Sequence, residues 1–308
     1  MPTMRIASIG ECMIELRQLP NGHLTRSFGG DTLNTAVYLA RLGASVDYVT
    51  ALGDDPLSDE MIAGWRDEGI GTDRVLRLKG KLPGLYMIET NAAGERRFYH
   101  WRDASAVRRL MNLPETEALL ASLAGYDLIY LSAITLSLFD VPGRERLTAA
   151  LRRCRAGGVR VAFDTNFRAR GWPDLDLARE AFAQAFAASD IVLASAEDLA
   201  ALYPDEGEEA LLHRISAKEA VLKLATPASI VRSTDDTRRV DAEPVQGRVI
   251  DTTAAGDSFA AAYLHARLSG SEPITAAKAG HHLAGTVVCH PGAIIPRAAM
   301  PDMRGQTS

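Results

Sequence analysis

The sequence lacks the features that mark several large classes of protein. Its 308 residues include only three cysteines, Cys12, Cys154 and Cys289, and this odd, widely spaced set disfavours both a disulfide framework and a zinc site. No apolar run approaches the length of a membrane span, and residues 1–10 lack the apolar core of a signal peptide. We therefore expect a cytoplasmic protein with no membrane partner.

The charge pattern and two absent motifs exclude further classes of protein. The formal net charge is -5 at pH 7, and no Lys/Arg-rich run appears, so no nucleic-acid partner is expected. The P-loop pattern GxxxxGK(S/T) is absent, and no GxGxxG follows the first predicted strand. The sequence therefore excludes a P-loop NTPase and disfavours a dinucleotide-dependent dehydrogenase.

Short apolar runs alternate with amphipathic segments along most of the chain. The runs predict strands at residues 4–9, 46–52, 128–131, 159–163, 191–193 and 220–224. The amphipathic segments predict helices at residues 31–42, 55–68, 143–155, 177–187, 197–203, 208–215, 258–268 and 274–289. Strands separated by helices indicate parallel βαβ units, so the sequence predicts an α/β fold with helices on both faces of the sheet.

A group of candidate strands interrupts this alternation. They lie at residues 11–16, 23–28, 74–78, 85–90 and 96–101, with a hairpin turn predicted at residues 91–94. Together they predict a small antiparallel sheet that projects from the main body as a lid, formed by about residues 11–28 and 74–102. The alternative is a set of edge hairpins without a role in function.

The most informative segment is the run of small residues from Asp251 to Asp257, DTTAAGD, which leads into a predicted helix. Exposed N–H groups at the start of a helix favour phosphate, and small residues let a phosphate approach the backbone. Asp257 could take a proton from a hydroxyl while those amides hold the charge on a transferring phosphoryl group. The alternative is that Asp257 is an ordinary N-cap.

Two further segments supply polar groups next to predicted strands or helices. Gly29 and Gly30 precede a helix in which Asn34 lies one turn inside. The loop from Asp164 to Arg168 follows a strand directly, and ligands of open α/β sheets bind outside the carboxyl ends of strands. An Arg there suits phosphate or carboxylate, although the loop could also cap the next helix and expose its Arg to solvent.

Isolated candidates remain elsewhere in the chain. Tyr86, Tyr99 and Arg102, in the predicted lid, could hold a polar acidic molecule or form cross-strand packing with a surface Arg. Lys223, at another strand end, could reach a nucleotide or merely end the strand. His281 lies in an apolar helix, where histidines more often pack than bind.

With these motifs at opposite ends of the chain, the sequence resembles the ribokinase (PfkB) family of carbohydrate kinases over nearly its full length. Gly29, Gly30 and Asn34 match the N-terminal signature, and the segment from Asp251 to Asp257 matches the more specific C-terminal one. The family usually has Gly where this chain has Ala254. The resemblance implies a ribokinase-like, Rossmann-type three-layer α/β/α sandwich, a single domain over residues 1–308, with a small β-sheet lid and the sugar between them.

The resemblance also implies roles for individual residues. Asp257 would be the base, and the amides of Ala254, Ala255, Gly256 and Asp257 would form an anion hole. The implied sugar site consists of Gly30, Asn34, Tyr86, Tyr99, Arg102, Arg168 and Asp257, and the implied ATP site of Arg168, Ser195, Lys223, Thr226, Ala254, Gly256 and His281. Mg²⁺ would travel with the phosphates rather than sit in a protein cage, and a monovalent cation such as K⁺ would bind near Asp251 and Thr253. A homo-oligomer is expected, because lid sheets in the family often pair.

Within the family, four segments look most like the branch that phosphorylates 2-keto-3-deoxygluconate. They are IGECMIEL at 9–16, GDTLNT at 30–35, FYHWR at 98–102 and PGAIIPR at 291–297. That substrate carries a carboxylate, for which Arg102 and Arg168 would be partners. The alternatives are fructose or 5-dehydro-2-deoxygluconate as substrate, or a sugar-binding protein without catalysis. One departure is that Ser195 and Asp198 stand where the family commonly has Asn-x-x-Glu, which leaves their roles open.

Overall fold

The structure is a computed structural model that describes residues 4–303, except for residues 20, 91–95, 235 and 246. The strands are β1 Arg5–Ile9, β2 Met13–Gln18, β3 Leu24–Gly29, β4 Ser45–Gly53, β5 Val75–Leu78, β6 Leu85–Thr90, β7 Arg96–Trp101, β8 Leu128–Ser132, β9 Arg160–Asp164, β10 Ile191–Ser195, β11 Glu219–Lys223, β12 Ala228–Arg232 and β13 Thr237–Asp241. The α-helices are α1 Asp31–Arg41, α2 Pro56–Asp67, α3 Thr116–Ser122, α4 Ala133–Ser137, α5 Val141–Ala156, α6 Leu175–Ala188, α7 Ala196–Leu202, α8 Glu208–Arg214, α9 Ala255–Leu268 and α10 Pro273–Val287.

Nine strands form one large sheet in the order β13-β12-β11-β10-β9-β8-β1-β4-β5. The strands from β5 to β11 in this order pair in parallel, whereas β12 and β13 are antiparallel additions at one edge. Parallel strands need crossover connections, and the predicted helices provide them. The carboxyl ends of these strands therefore meet along one edge, where Asp164, Ser195 and Lys223 end β9, β10 and β11.

Two hydrophobic cores lie on opposite faces of the large sheet. Alternate side chains of each strand enter different cores: Ile129 and Leu131 pack on one face, and Leu128 and Tyr130 on the other. One core contains side chains from α3 and α5–α8, and the other contains side chains from α1, α2, α9 and α10. This arrangement confirms the predicted three-layer α/β/α sandwich.

Four strands form a separate small sheet in the order β3-β2-β6-β7. The prediction of a second sheet is right, but residues 74–78 do not belong to it. Instead, β5 pairs in parallel with β4 at the edge of the large sheet, through Thr50 with Val75 to Gly53 with Leu78. A four-residue apolar strand fits either sheet by its pattern alone, so only the pairing decides. The turn predicted at residues 91–94 lies outside the described residues.

Among the described residues, no helix has both the length and the apolar character needed to cross a membrane.

Candidate active site

The N-terminus of α9 forms the floor of the candidate site. Ser258 N donates to Ala254 O at 2.9 Å, which makes Ala254 the N-cap and places Asp257 in the first turn, three residues inside. The alternative that Asp257 is the N-cap is therefore wrong. Ala255 N donates to Thr252 O at 3.2 Å, and the amides of the first turn have no acceptor within the helix. The turn can thus offer N–H groups to an anion.

Ala254 has an unusual backbone conformation. Its φ of 59° and ψ of 17° lie in the left-handed region, and no other non-glycine residue of the described chain has a positive φ. A Cβ in this region contacts the following carbonyl oxygen and costs on the order of 1–2 kcal/mol. The chain holds this strain at the entrance to the predicted anion hole, and a left-handed residue beside right-handed ones is a backbone arrangement that can bind anions through its N–H groups.

Replacing Ala254 by Gly is expected to stabilise the protein by up to about 1 kcal/mol, because the strain disappears while the unfolded chain gains some entropy. Urea unfolding followed by circular dichroism would measure this. Ala255→Gly is the matched control: Ala255 is the first residue of α9 and its φ is not positive, so its replacement is expected to destabilise by a few tenths to about 1 kcal/mol. Equal losses in both variants would contradict strain at Ala254.

Asp257 faces helix α1 across the site. Asn34 Nδ2 donates to Asp257 Oδ2 at 2.8 Å, and Thr35 Oγ1 donates to the backbone oxygen of Asp257 at 3.2 Å. The other amide atom of Asn34, Oδ1, is buried and has no protein partner. Burial and the negative charges of Asp31 and Asp164 raise the pKa of Asp257 to about 8, and the Asn34 hydrogen bond and Lys223 offset part of that rise. Part of the residue still reaches solvent. Asp257 is thus an accessible carboxylate with a raised proton affinity, as a general base requires.

Asp31 is a site residue that sequence reasoning missed. It lies in the first turn of α1, directly after Gly30, and its Oδ2 accepts a hydrogen bond of 2.8 Å from Asn166 Nδ2. Its charge is, after burial, the largest cause of the raised pKa of Asp257. An acidic residue in a first helical turn is common for helix stability alone, so the sequence offered no separate signal for a role.

Behind Asp257, two ion pairs join the ends of β9, β10 and β11. Lys223 Nζ lies 3.1 Å from Asp164 Oδ2, and burial raises the pKa of Asp164 against the lowering effect of this pair. Arg168 Nη1 lies 3.7 Å from Asp198 Oδ1. Lys223 also lies close to Gly256, since a Cβ there would be 3.6 Å from its Nζ. The structure therefore places Lys223 next to the start of α9, and Asp198 links Arg168 to the same charged cluster.

The Ser195 hydroxyl and the Asp198 carboxylate have different partners. Ser195 Oγ caps α7 by accepting from Asp198 N at 3.4 Å. Asp198 Oδ2 accepts from Thr165 Oγ1 at 2.9 Å, and burial followed by the charge of Asp164 raises the pKa of Asp198. Asp198 thus belongs to the charged cluster of the site, whereas Ser195 acts as a helix cap.

The glycine pair lets the small sheet come close to α1. A Cβ on Gly30 would lie 2.2 Å from the backbone oxygen of Glu11, and one on Gly29 would lie 2.2 Å from Tyr86 Oη. The Tyr86 hydroxyl itself donates to Glu15. Glycine at both positions therefore permits the contact that brings Tyr86 next to the start of α1.

Tyr99, predicted to share the sugar site with Tyr86, lies on the opposite face of the small sheet. Strands β6 and β7 pair Tyr86 with His100 and Met87 with Tyr99. Directly paired residues share a face, so His100 lies beside Tyr86, with ring centroids 5.9 Å apart. Tyr99 instead stacks on Trp101 and donates to Glu89 at 2.8 Å. His100 therefore occupies the position beside Tyr86 that was predicted for Tyr99.

Arg102 forms an ion pair with Glu11. Glu11 is 3% exposed, and burial raises the pKa of its carboxyl against the lowering effect of Arg102. Because the backbone of Glu11 contacts Gly30, this pair holds Arg102 next to the predicted sugar site. No pattern in the sequence indicates Glu11 as the partner of Arg102, and this pairing affects any test of Arg102.

The remaining predicted residues lie farther out. Thr226 is exposed in the turn between β11 and β12. His281 forms hydrogen bonds with Ser229 Oγ, at 3.0 Å, and with the backbone of Val240, contacts typical of a packing histidine. Asp251 Oδ1 accepts from Thr253 Oγ1 at 2.6 Å, so the two residues predicted near a monovalent cation do lie together. Within the described ranges, no group of three or more His, Cys, Asp or Glu side chains could hold a metal ion.

Comparisons with known proteins place this geometry in a family. The model of the pfkB family carbohydrate kinases matches residues 3–300. The chain is 44% identical to the 2-dehydro-3-deoxygluconokinase of Dickeya dadantii (strain 3937) over 311 residues, covering 98% of this chain and 100% of that protein. It is 43% identical over 307 residues to the enzyme of the same name from Escherichia coli (strain K12), with 96% and 99% covered. The crystal structure of 2-dehydro-3-deoxygluconokinase from Thermotoga maritima is similar with a TM-score of 0.80 at 23% identity, covering 95% of both chains. The chain therefore belongs to the pfkB family of carbohydrate kinases.

Proposed function

We propose that this carbohydrate kinase transfers the γ-phosphoryl group of ATP to the 6-hydroxyl of 2-keto-3-deoxygluconate, giving 2-keto-3-deoxy-6-phosphogluconate and ADP. The observation that carries the proposal is the placement of Asp257, which combines a raised pKa with the first turn of α9. Identities of 43–44% over almost the full length to proteins named 2-dehydro-3-deoxygluconokinase support this substrate, because that name denotes the same keto acid.

Asp257 would act as general base. Its carboxylate accepts the proton of the 6-hydroxyl as that oxygen forms its bond to phosphorus and the bond to the leaving ADP oxygen breaks. The neighbouring N–H groups of Gly256 and Asp257 donate to the oxygens of the transferring group, where negative charge builds up. Asn34 holds the Asp257 carboxylate in place through its 2.8 Å hydrogen bond.

The nucleotide would lie along the ends of β9–β11. Lys223 lies next to Gly256, and Arg168 pairs with Asp198 in the charged cluster, so both cationic groups are proposed to bind the ATP phosphates. Mg²⁺ would bind with those phosphates and neutralise part of their charge. The carboxylates of Asp164 and Asp198 fit this ion, because Mg²⁺ prefers oxygen ligands and is held by few protein groups. Ser195, Thr226 and His281 are proposed to contact the nucleotide farther from the start of α9.

The sugar acid would lie between α1 and the small sheet, which is proposed to act as its lid. Gly30, Asn34 and Tyr86 border this space, and Arg102 and Arg168 supply guanidinium groups for the carboxylate. The unpartnered Oδ1 of Asn34 is an acceptor for a sugar hydroxyl, since a buried polar atom gains by being paired. The remaining alternatives, fructose and 5-dehydro-2-deoxygluconate, would use the same base and anion hole.

A coupled assay of ADP release with ATP and Mg²⁺ tests the substrate. We expect kcat/KM for 2-keto-3-deoxygluconate to exceed that for fructose and for 5-dehydro-2-deoxygluconate. A preference for fructose would contradict the substrate proposal while leaving the kinase mechanism intact. If none of the three sugars supported ADP release, the mechanism itself would be contradicted.

The rate should depend on pH through Asp257. Since its pKa is raised to about 8, the fraction of ionised base increases up to that pH. With saturating keto acid and varied ATP, log(kcat/KM) for ATP is expected to rise by about one unit per pH unit below pH 8 and then level off. Asp31→Asn removes a negative charge next to Asp257, so the rising part of this pH profile should move to lower pH. If the profile of that variant did not move, a group other than Asp257 would control the rate.

We further propose a homo-oligomer in the cytoplasm, with a monovalent cation near Asp251 and Thr253. The support for association is the exposed apolar surface near the small sheet, where Trp101 is 58% and Leu24 is 50% exposed. Light scattering after gel filtration would measure the molar mass in solution, and a mass of one chain would contradict the oligomer. Dependence of the rate on added K⁺ tests the cation.

A further inference from the structure

His100 stands out as a titratable group that the mechanism above does not use. Its ring lies on the face of the small sheet that also carries Tyr86, with centroids 5.9 Å apart and planes inclined by 23°. Phe98 lies 6.4 Å from the imidazole and 6.5 Å from the Tyr86 ring, so the three rings form a triangular cluster. His100 thus shares the face of the small sheet on which the Tyr86 hydroxyl approaches Gly29, directly before the start of α1.

The charged groups that act on His100 come from two elements. Arg102 lies directly after the end of the same strand, β7, and Arg170 acts on it from the short 3-10 helix Ala169–Gly171, after β9. Although His100 remains exposed to solvent, partial desolvation and then the positive charges of Arg170 and Arg102 lower its pKa below the usual range. Tyr86 faces it from β6, and its hydroxyl is engaged by Glu15. The charge of Arg102 is paired with Glu11, whereas in the described part of the chain no carboxylate forms an ion pair with Arg170.

This environment fits an anionic ligand better than a neutral one. Without ligand, the positive charges favour the neutral imidazole, so His100 does not add to the repulsion within the site. A carboxylate placed between Arg102 and Arg170 would offset this positive potential and favour the imidazolium relative to the ligand-free protein. The protonated ring would then donate a charge-assisted hydrogen bond to the same carboxylate. A neutral sugar brings no such charge and would leave the imidazole as it was.

We propose that His100 binds the carboxylate of the sugar acid and takes up a proton from solvent when this substrate binds. The inference rests on the proposed function and extends it, because it makes the preference for an acidic sugar increase as the pH falls. Arg170 is part of the same proposal as the second cation of the carboxylate site. A residue that only stacked on Tyr86 would show no such proton uptake.

Calorimetry with the full-length protein tests the proton directly. Binding of 2-keto-3-deoxygluconate is measured without ATP, near pH 7, in buffers with different heats of ionisation, for the wild type and for His100→Gln. Asp257 is present in both proteins, so the difference in proton uptake reports on His100. We expect the wild type to take up more protons, by roughly half a proton. His100→Phe keeps an aromatic ring beside Tyr86 and serves as the second variant, and His213→Gln on α8 is the remote control.

The kinetic counterpart is the KM for the keto acid. In the wild type it should rise on the order of threefold to tenfold between pH 6 and pH 8, and this rise should be largely lost in both His100 variants. Equal proton uptake in wild type and variants, or an unchanged pH dependence of KM, would overturn the inference. A wild-type protein that neither binds nor phosphorylates the keto acid would instead overturn the proposed function, and this inference with it.

Discussion

Replacing Asp257 by Asn is expected to lower turnover by a factor on the order of 10² to 10⁴, because the amide cannot accept the proton of the 6-hydroxyl. The substitution keeps the size of the side chain, and the amide oxygen can still accept the hydrogen bond from Asn34. The variant should therefore still bind the sugar. Steady-state turnover and calorimetric binding of the keto acid, measured on the same preparation, would separate the two effects.

Stability provides a second readout for this variant. The pKa of Asp257 in the folded protein, about 8, lies above its ordinary value of 3.8, so the folded state holds the proton more tightly than the unfolded state does. The carboxyl group therefore destabilises the fold progressively as the pH rises from about 4 to about 8. Asn removes this effect. At pH 8 the thermal unfolding midpoint of Asp257→Asn is expected to rise, although turnover falls.

A surface carboxylate serves as the control for Asp257. Asp59 forms an ion pair with Arg77 and its side chain is 65% exposed, so Asp59→Asn should leave turnover within the error of the assay. If Asp257→Asn retained wild-type turnover, the proton acceptor would be another group and the proposed mechanism would be wrong. If turnover and the unfolding midpoint both fell sharply, the loss would reflect folding rather than chemistry.

The sequence predicted the layers of the fold better than its edges. Alternating strands and helices gave the central parallel strands and their helices, because burial on both faces leaves continuous apolar runs. The edge elements were harder: β5 has too few residues to show which sheet it joins, and neither the largely buried β12 nor the largely exposed β13 was predicted. Their positions depend on pairing partners far apart in the chain, which periodicity does not report.

Some residues of the candidate site could be predicted from the sequence and others could not. The segment from Asp251 to Asp257 could be predicted, because the geometry and chemistry of a helix start depend on consecutive residues. Asp31 and Glu11 were missed because each acts on a partner that is distant in sequence, Asp257 and Arg102 respectively. Tyr99 was predicted beside Tyr86, where His100 lies, for a different reason. Neighbouring residues of a strand point to opposite faces, and the sequence does not say which face approaches the ligand.

The ion pair of Arg102 with Glu11 determines how the carboxylate site must be tested. Arg102→Ala alone would leave Glu11 buried without its partner, and breaking a buried pair costs about 3–5 kcal/mol of stability. The informative protein is the double variant Glu11→Gln with Arg102→Met, which removes both charges and keeps much of the volume. We expect its kcat/KM for the keto acid to fall by a factor on the order of 10² to 10³, because the carboxylate loses a charged partner.

The single variant Glu11→Gln is the matched control, and its expected effect has the opposite direction. It leaves Arg102 in place and releases the guanidinium from its internal partner, so the keto acid should bind as well as before or more tightly. Fructose, which has no carboxylate, should show little difference between the two variants. If Glu11→Gln and the double variant lost activity equally, Arg102 would be a structural partner of Glu11. The carboxylate would then have to rely on Arg168 and Arg170, which lie on the loop after β9 rather than on the small sheet.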